Sequence, residues 1–306
     1  MISSPGLYDL SHAEYHADPV HVPSLSASIA HKLIDETPRH AWHAHPRLGN
    51  GARDDGSDAT KIGTVAHALI LEGINVAEVI DADSWRTKAA KEARDAAVAN
   101  GKVPVLAPKW PHIRAMCNAA CDQLDAHADL SVIGTEGKTE RTLIWQSGPT
   151  WFRARPDVLV ESAETIIDLK TTDGTANPEI WSRRAYDMGH DLRAEFYLRG
   201  TRSVLDWQEG RYLFAVLEQN EPFALSIVGF PPASMHMAAR KYEAAVSLWE
   251  WCMANDKWPG WPAHVAWVDP PPWTEKRWLE RELREMSGRD RGEDLRQQLI
   301  EWQRPK

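Results

Sequence analysis

The sequence is poor in cysteine and has no long apolar stretch. It contains 3 cysteines in 306 residues, which is too few for a disulfide framework and typical of a reducing compartment. No stretch approaches the roughly 18 consecutive apolar residues of a membrane-spanning helix. The beginning of the sequence also lacks the basic start and the apolar segment of a secretory signal. We therefore expect a cytoplasmic protein that does not contact membranes.

Positive charge is also scarce. The 35 Lys and Arg residues are outnumbered by 44 Asp and Glu residues, which gives a formal net charge of -9 at pH 7. This balance argues against a protein that coats nucleic acid nonspecifically, although it leaves room for a local basic channel. The sequence has neither a Walker A lysine motif nor a G-x-S-x-G motif. ATP-driven and serine-hydrolase functions therefore have no support.

Hydrophobic periodicity and turn residues divide the chain into helical and extended parts. The pattern predicts helices over 24–45, 60–72, 86–99, 106–128, 177–206 and 232–255. It predicts strands over 139–146, 151–160 and 164–171, and a hairpin over 211–229. The short turns between the three strands predict an antiparallel meander. Together these elements predict an α/β (α+β) fold with a central mixed sheet flanked by helices.

A single domain accommodates these elements. We expect it to span residues 1–275, with a helical part at 24–128 followed by the catalytic sheet and its helices at 139–275. Residues 276–306 are rich in charge and are predicted to form a helical tail.

Acidic and basic side chains converge in the second and third predicted strands. Because side chains alternate along a strand, Asp168 and Lys170 share one face, and a short turn brings Asp157 beside them. Two acids and a lysine in a half-buried sheet need charge compensation, which a divalent cation supplies. Hard cations prefer oxygen ligands, here Asp157, Asp168 and the backbone carbonyl of Leu169. The alternative is a surface strand with a salt bridge.

His67 lies in an otherwise apolar helical segment. Within GTVAHALILE, which spans Gly63–Glu72, His67 and Glu72 are the ionisable side chains. One interpretation is a core histidine whose ring nitrogens are satisfied by hydrogen bonds. The other is a ligand for the cation that the two aspartates of the strands would hold.

Four separated motifs occur in the order found in one nuclease family. They are G-x-x-x-H-x-L-x-L-E at Gly63–Glu72, R-P-D at Arg155–Asp157, I-I-D-L-K-T-T at Ile166–Thr172 and F-Y-L at Phe196–Leu198. Over residues 24–275 the chain resembles the RecE-type exonucleases (exodeoxyribonuclease VIII type) of phages and prophages. These belong to the PDDEXK superfamily, with lambda exonuclease and the RecB nuclease domain. The resemblance implies a PDDEXK, restriction-endonuclease-like core.

The resemblance also implies roles for individual residues. His67, Asp157 and Asp168 match the metal ligands of the family, and Lys170 matches its catalytic lysine. Glu140 resembles a further acid near the site. The implied cofactor is Mg²⁺ or Mn²⁺, as two ions. Lys170 would orient or deprotonate the attacking water and offset negative charge in the transition state.

The chain departs from the family in the helix that follows the catalytic strands. The family usually has Gln-x-x-x-Tyr, where this chain has Arg193 and Tyr197 on one helix face. An arginine could hold a phosphate with two hydrogen bonds, whereas the alternative is a salt bridge from Arg193 to Asp157 or Glu195. The basic residues that could line a DNA channel are Arg153, Arg155, Arg183, Arg184 and Arg193.

The function implied by the resemblance is a metal-dependent DNA exonuclease. It would act from 5′ to 3′ on double-stranded DNA ends in phage-type homologous recombination. The resemblance also implies a ring-shaped homo-oligomer and a RecT-like single-strand annealing protein as partner. Three alternatives stay open. They are a PDDEXK endonuclease, a single-strand nuclease related to CRISPR-associated enzymes but lacking their iron–sulfur cluster, and a catalytically silent DNA-binding protein.

Overall fold

The computed structural model describes residues 1–49, 51, 58–127, 130 and 136–290. The chain comprises two compact units, Met1–Gly260 and Trp261–Lys306. In the second unit the structure describes a helix over Pro272–Asp290, so the boundary predicted at residue 275 falls inside a helix. Among the helices that the structure describes, none combines the length and the apolarity needed to cross a membrane.

Helices make up much of both units. In chain order they are α1 (His12–His16), α2 (Ala27–Asp35), α3 (Pro38–Ala44), α4 (Asp58–His67), α5 (Lys88–Ala99), α6 (Trp110–Ala126), α7 (Pro178–Asp187), α8 (His190–Leu205), α9 (Pro232–Asn255) and α10 (Pro272–Asp290). A π turn over Ala68–Glu72 continues α4. The helix predicted over 232–255 is confirmed by α9.

Two of the predicted helices are each divided into two. The segment 24–45 breaks before Pro38, because proline cannot continue a helix but is well suited to its first position. The segment 177–206 breaks at Gly189, whose φ of 65° is left-handed and favours glycine. After the second break, α8 packs against strands β6, β7 and β10.

The strands form three sheets. In chain order they are β1 (Gly6–Tyr8), β2 (Leu25–Ser26), β3 (Ala77–Ile80), β4 (Val103–Leu106), β5 (Lys138–Thr139), β6 (Thr142–Ser147), β7 (Thr150–Ala154), β8 (Val158–Val160), β9 (Thr165–Thr172), β10 (Arg211–Glu218) and β11 (Leu225–Gly229). The sheet orders are β11-β10-β9-β8-β5, β1-β6-β7-β2 and β3-β4. In the five-stranded sheet β9 and β10 are parallel, whereas β8–β9 and β10–β11 are antiparallel. The predicted mixed α/β class is confirmed.

The predicted meander is not continuous. The strand expected over 151–160 is interrupted at Pro156, and its halves, β7 and β8, belong to different sheets. Proline has no N–H group for a strand ladder, which explains the break. The structure therefore has two antiparallel pairs, β6–β7 and β8–β9, in place of one meander. The interruption places Asp157 between the sheets instead of on the same strand as Arg153.

The five-stranded sheet is buried on both faces. On one face Ile166 and Phe214 pack with Phe196 of α8. On the other face Ile167 and Leu169 belong to the hydrophobic cluster that contains the apolar side of α6. Strand alternation therefore directs Asp168 to the α8 side, where it is 1% exposed. A buried carboxylate in this position requires polar partners.

Candidate active site

His67 lies between two carboxylates. Its Nε2 is 3.0 Å from Asp157 Oδ2, and its Nδ1 is 3.4 Å from Glu140 Oε1. The imidazole is at the end of α4 and is half-buried. The helix motif and the strand motifs that are far apart in the sequence thus meet at one side chain.

Asp157 is attached to the neighbouring strand through the backbone. Its Oδ2 accepts a hydrogen bond of 2.8 Å from the Leu169 N–H, and its carbonyl oxygen accepts one of 3.0 Å from the Glu140 N–H. These bonds hold the carboxylate at the edge where β8 and β9 pair. Leu169 lines the same cavity as Asp157 and Lys170.

Asp168 is held from two sides. Lys170 Nζ contacts its Oδ1, and the Tyr212 hydroxyl donates a hydrogen bond of 2.6 Å to its Oδ2. The side chain of Lys170 is 25% exposed, whereas that of Asp168 is 1% exposed. Lys170 is therefore the member of the pair that reaches the cavity.

The two aspartates differ in their electrostatic surroundings. Burial and the neighbouring charge of Asp168 raise the pKa of Asp157. Burial also disfavours the charged form of Asp168, but the cations of Lys170 and Arg193 outweigh it and lower the pKa of that carboxyl. The cations of Lys170 and Arg193 thus stabilise the charged form of Asp168, whereas the charged form of Asp157 is disfavoured in its surroundings.

The charge of His67 follows from its carboxylate neighbours. Burial by itself lowers the pKa of an imidazole, but the hydrogen bond and charge of Asp157 and the charge of Glu140 outweigh burial and raise the pKa of His67. In the absence of a cation, the two carboxylates therefore favour the protonated form of His67. A bound divalent cation would take the place of this proton, because it ligates the neutral imidazole.

Glu140 and Arg155 form the outer side of the site. Glu140 has a left-handed φ of 55° between β5 and β6, and its Oε2 accepts a hydrogen bond from Arg155 Nε. The same guanidinium donates to the carbonyl oxygen of Leu10. Arg155 thus joins the N-terminal segment to the acid beside His67.

Arg193 and Tyr197 lie on one face of α8, as predicted, and both line the cavity. Arg193 Nη1 donates to the Tyr197 hydroxyl at 3.4 Å, and the guanidinium lies 5.8 Å from the Tyr197 ring centre. Glu195 instead pairs with Arg199 at 2.6 Å. Within the described residues we find no ion pair from Arg193 to Asp157 or Glu195, the alternative that the sequence left open.

These residues open onto one cavity of about 1290 Å³. The expected site residues that line it are His67, Glu140, Arg155, Asp157, Leu169, Lys170, Arg193 and Tyr197. Arg184 lies on its wall and contacts Asp173 Oδ1 at 3.0 Å. The chain therefore presents acids, an imidazole and cations to one shared space.

The family profile of a PDDEXK-like domain of unknown function, DUF3799, matches residues 26–268. The chain belongs to this family. The match includes His67 and both aspartates of the site, and it ends within the second unit. In a search of curated proteins, no sequence matches the chain.

Two solved structures are similar to this PDDEXK-like domain. One, a candidate exonuclease from Eubacterium rectale, has a TM-score of 0.56 at 9% identity and covers 88% of this chain and 98% of its own. The other, a phage-related exonuclease from Haemophilus somnus, has a TM-score of 0.31 at 13% identity and covers 79% of this chain and 99% of its own. The first similarity shows a shared fold.

Arg153 does not join the site of the PDDEXK-like domain. Its side chain is 4% exposed, and its Nη1 donates to the carbonyl and hydroxyl oxygens of Ser24 and lies 3.2 Å from Asp18 Oδ1. Arg153 does not line the cavity, and the break at Pro156 places its strand, β7, in a different sheet from β8, which follows Asp157. The expected place of Arg153 in a DNA channel is therefore not supported, and its contacts are structural.

Two residues near the site were not assigned a role from the sequence. Tyr212 is on β10, a strand away from the motifs, and only the strand pairing brings it to Asp168. Glu72 was visible as an ionisable residue of the helix motif. The π turn places a carboxylate oxygen of Glu72 within 4.8 Å of ligand atoms of His67 and Glu140. A π turn is rare and has no reliable sequence signal.

The donor set of the PDDEXK-like domain fits a hard divalent cation. Carboxylate oxygens of Asp157 and Glu140 and the imidazole of His67 line the cavity, and these are ligand types that Mg²⁺ and Mn²⁺ accept. The carboxylate of Asp168 is buried next to Lys170 and is of the same ligand type. Burial and the charge of Asp168 raise the pKa of Asp157. A cation bound beside Asp157 would favour its charged form, which these surroundings disfavour.

Proposed function

We propose that this PDDEXK-like protein is a metal-dependent deoxyribonuclease. The observation that carries the proposal is that His67, Asp157 and Lys170 line one cavity, with Asp168 buried beside Lys170. In the absence of a cation this arrangement places a buried acid and a partly buried acid near each other at a cost in free energy. Such a cost is common at sites whose residues are arranged for chemistry.

His67, Asp157 and Asp168 would hold the cation, with the carbonyl oxygen of Leu169 as a further ligand. When bound, Mg²⁺ or Mn²⁺ lowers the pKa of water and offsets charge on the scissile phosphate. Asp157 is oriented for this role by the Leu169 N–H. His67 is oriented by Glu140, because the carboxylate faces the ring nitrogen that does not face Asp157.

Lys170 brings a positive charge to the wall of the cavity. Its Nζ lies on the cavity side of Asp168, and its side chain is partly exposed. From this position the ammonium group can orient or deprotonate a water molecule and offset charge that develops on a phosphate. Arg193 presents a second cation to the same cavity and is suited to hold a phosphate oxygen.

For the substrate we propose the ends of double-stranded DNA. The sequence resemblance to RecE-type exonucleases supports this choice, and so does the name of the Eubacterium rectale structure that shares the fold, which is that of an exonuclease. From the resemblance we also propose the finer properties of the enzyme. They are digestion from 5′ to 3′, a role in phage-type recombination, a ring-shaped oligomer and a RecT-like partner. A ring would place cavity-lining cations such as Arg193 and Lys170 towards the DNA while the acidic exterior faces solvent.

One experiment tests the proposal. Linear duplex DNA and single-stranded DNA labelled at the 5′ or 3′ end, and covalently closed circles, are incubated with the protein in Mg²⁺ or EDTA, and DNA binding is measured in EDTA. We expect loss of linear but not circular DNA, and only with Mg²⁺; the labelled end that is released first reports the direction. Cutting of circles selects an endonuclease instead, and preference for single strands selects the single-strand nuclease. Complete inertness with retained DNA binding contradicts enzymatic function.

A further inference from the structure

The Tyr212 hydroxyl group faces a carboxylate of the candidate active site. Tyr212 lies on β10, which pairs with β9 so that Phe214 is opposite Asp168. The tyrosine reaches diagonally across the pair and donates a hydrogen bond of 2.6 Å to Asp168 Oδ2. Both side chains are buried, with 5% of Tyr212 exposed. The bond is therefore formed away from competing solvent.

The contact divides the two oxygens of Asp168 between two donors. Oδ2 is held by Tyr212, and Oδ1 is on the side of Lys170, whose Nζ contacts it. The terminal torsion of an aspartate side chain is soft, so the carboxylate could rotate freely without a partner. The hydrogen bond from Tyr212 opposes this rotation, because rotation would break it. Tyr212 thus holds Oδ2 and leaves Oδ1 on the side of Lys170, the residue of the pair that lines the cavity.

Packing alone does not require this hydroxyl group. Phe214 and Val216 follow Tyr212 on the same face of β10 and belong to the same hydrophobic cluster. An apolar ring would fill the position of Tyr212 equally well. Tyr197 of α8 packs edge-on against the Tyr212 ring at 5.8 Å, so the residue that Arg193 contacts also supports the ring that holds Asp168.

We propose that Tyr212 is a positioning residue, which orients the Asp168 carboxylate for binding of the divalent cation. The inference rests on the proposed function, since it concerns the same cation. Groups that hydrogen-bond a metal ligand fix its orientation, and their loss typically lowers metal affinity about 10- to 100-fold. Tyr212 has the contact and the burial expected of such a group.

Binding of Mn²⁺ without DNA tests the inference. The signal of free Mn²⁺ in electron paramagnetic resonance gives the dissociation constant for the wild-type protein, Tyr212→Phe and Tyr186→Phe. The control is matched because the Tyr186 hydroxyl also makes a hydrogen bond of 2.6 Å, to Ser234 Oγ. We expect Tyr212→Phe to raise the dissociation constant about tenfold, and Tyr186→Phe to leave it unchanged.

Thermal unfolding without metal, measured on the same samples, separates orientation from stability. Each variant loses one oxygen and keeps its ring, so we expect both to remain folded. Wild-type affinity in Tyr212→Phe overturns the inference and leaves the proposed function standing. An equal loss of affinity in both variants also overturns it, because a general loss of stability then explains the effect. A wild-type protein that binds no Mn²⁺ overturns both the proposed function and the inference.

Discussion

His67 Nε2 lies 3.0 Å from Asp157 Oδ2, although the two residues belong to separate motifs of the sequence. The contact joins the end of α4 to the break between β7 and β8. A histidine of the hydrophobic core would meet apolar groups and one or two neutral partners. His67 instead meets two carboxylates at the wall of a cavity, which favours the interpretation as a ligand.

Replacement of Lys170 removes the cation beside Asp168. Lys170→Met keeps most of the length of the side chain, and we expect it to lower the rate of DNA hydrolysis roughly 100-fold or more while the protein stays folded. The measurement is release of label from linear duplex DNA in Mg²⁺. Lys257→Met, which removes a charge from an exposed residue, is the control. A Lys170→Met protein with more than about a tenth of the wild-type rate contradicts the assignment.

Replacement of His67 separates a ligand from a core residue. We expect His67→Ala to raise the Mg²⁺ concentration for half-maximal activity by more than about tenfold, which is the smaller loss typical of a group that only supports a ligand. The unfolding temperature without metal should fall only modestly, because the contacts with Asp157 and Glu140 are lost but ligation contributes no folding energy in that state. His43→Ala, at an exposed position of α3, is the control. A collapse of the metal-free unfolding temperature with an unchanged Mg²⁺ requirement identifies His67 as a core histidine.

Arg193 stands where the RecE-type exonucleases that the sequence resembles usually have a glutamine. If its guanidinium holds a DNA phosphate, Arg193→Gln lowers the slope of the logarithm of affinity against the logarithm of salt concentration by about 0.9 for duplex DNA. Binding should also weaken at low salt. The control is Arg240→Gln, at an exposed position of α9. An unchanged slope defeats the phosphate contact whatever happens to activity.

Arg153 is expected to affect stability rather than DNA binding. Arg153→Met removes the partner that lies 3.2 Å from Asp18 Oδ1, and the Asp18 side chain is fully buried. Loss of one partner of a buried pair costs about 3 kcal/mol of the free energy of unfolding, which urea denaturation measures. Arg141→Met, which breaks an exposed pair with Asp9, should cost no more than about 1 kcal/mol. A changed salt slope of DNA binding in Arg153→Met argues for a direct DNA contact instead.

His45 makes the protein sensitive to acid. Burial, and then the positive charge of Arg153, lower the pKa of His45 to about 4, so the folded protein keeps it neutral while the unfolded chain protonates it near pH 6.5. Stability is therefore lost as pH falls below about 6.5, by about 2 kcal/mol between pH 7 and pH 5. Urea midpoints at the two pH values measure this loss. His45→Gln should show a smaller loss over the same range, and an equal loss shows that other groups determine it.

The elements themselves were largely visible in the sequence. Apolar periodicity predicted α9 with its observed bounds, and clusters of β-branched residues predicted β6, β9 and the β10–β11 pair. These signals are local, because each depends on side chains that are neighbours along one helix face or one strand. The PDDEXK-like class followed from the order of motifs, which the family match confirms.

The sequence thus determined which residues are candidates for the chemistry, namely His67, Asp157, Asp168 and Lys170, since motif spacing depends on the chain alone. Tertiary structure decided the surroundings of these residues. It divided the predicted meander at Pro156, buried Arg153 with Asp18, and brought Tyr212 to Asp168 through the pairing of β9 with β10. Strand partners, burial and the π turn after His67 depend on contacts between distant segments, and no local pattern of side chains specifies them.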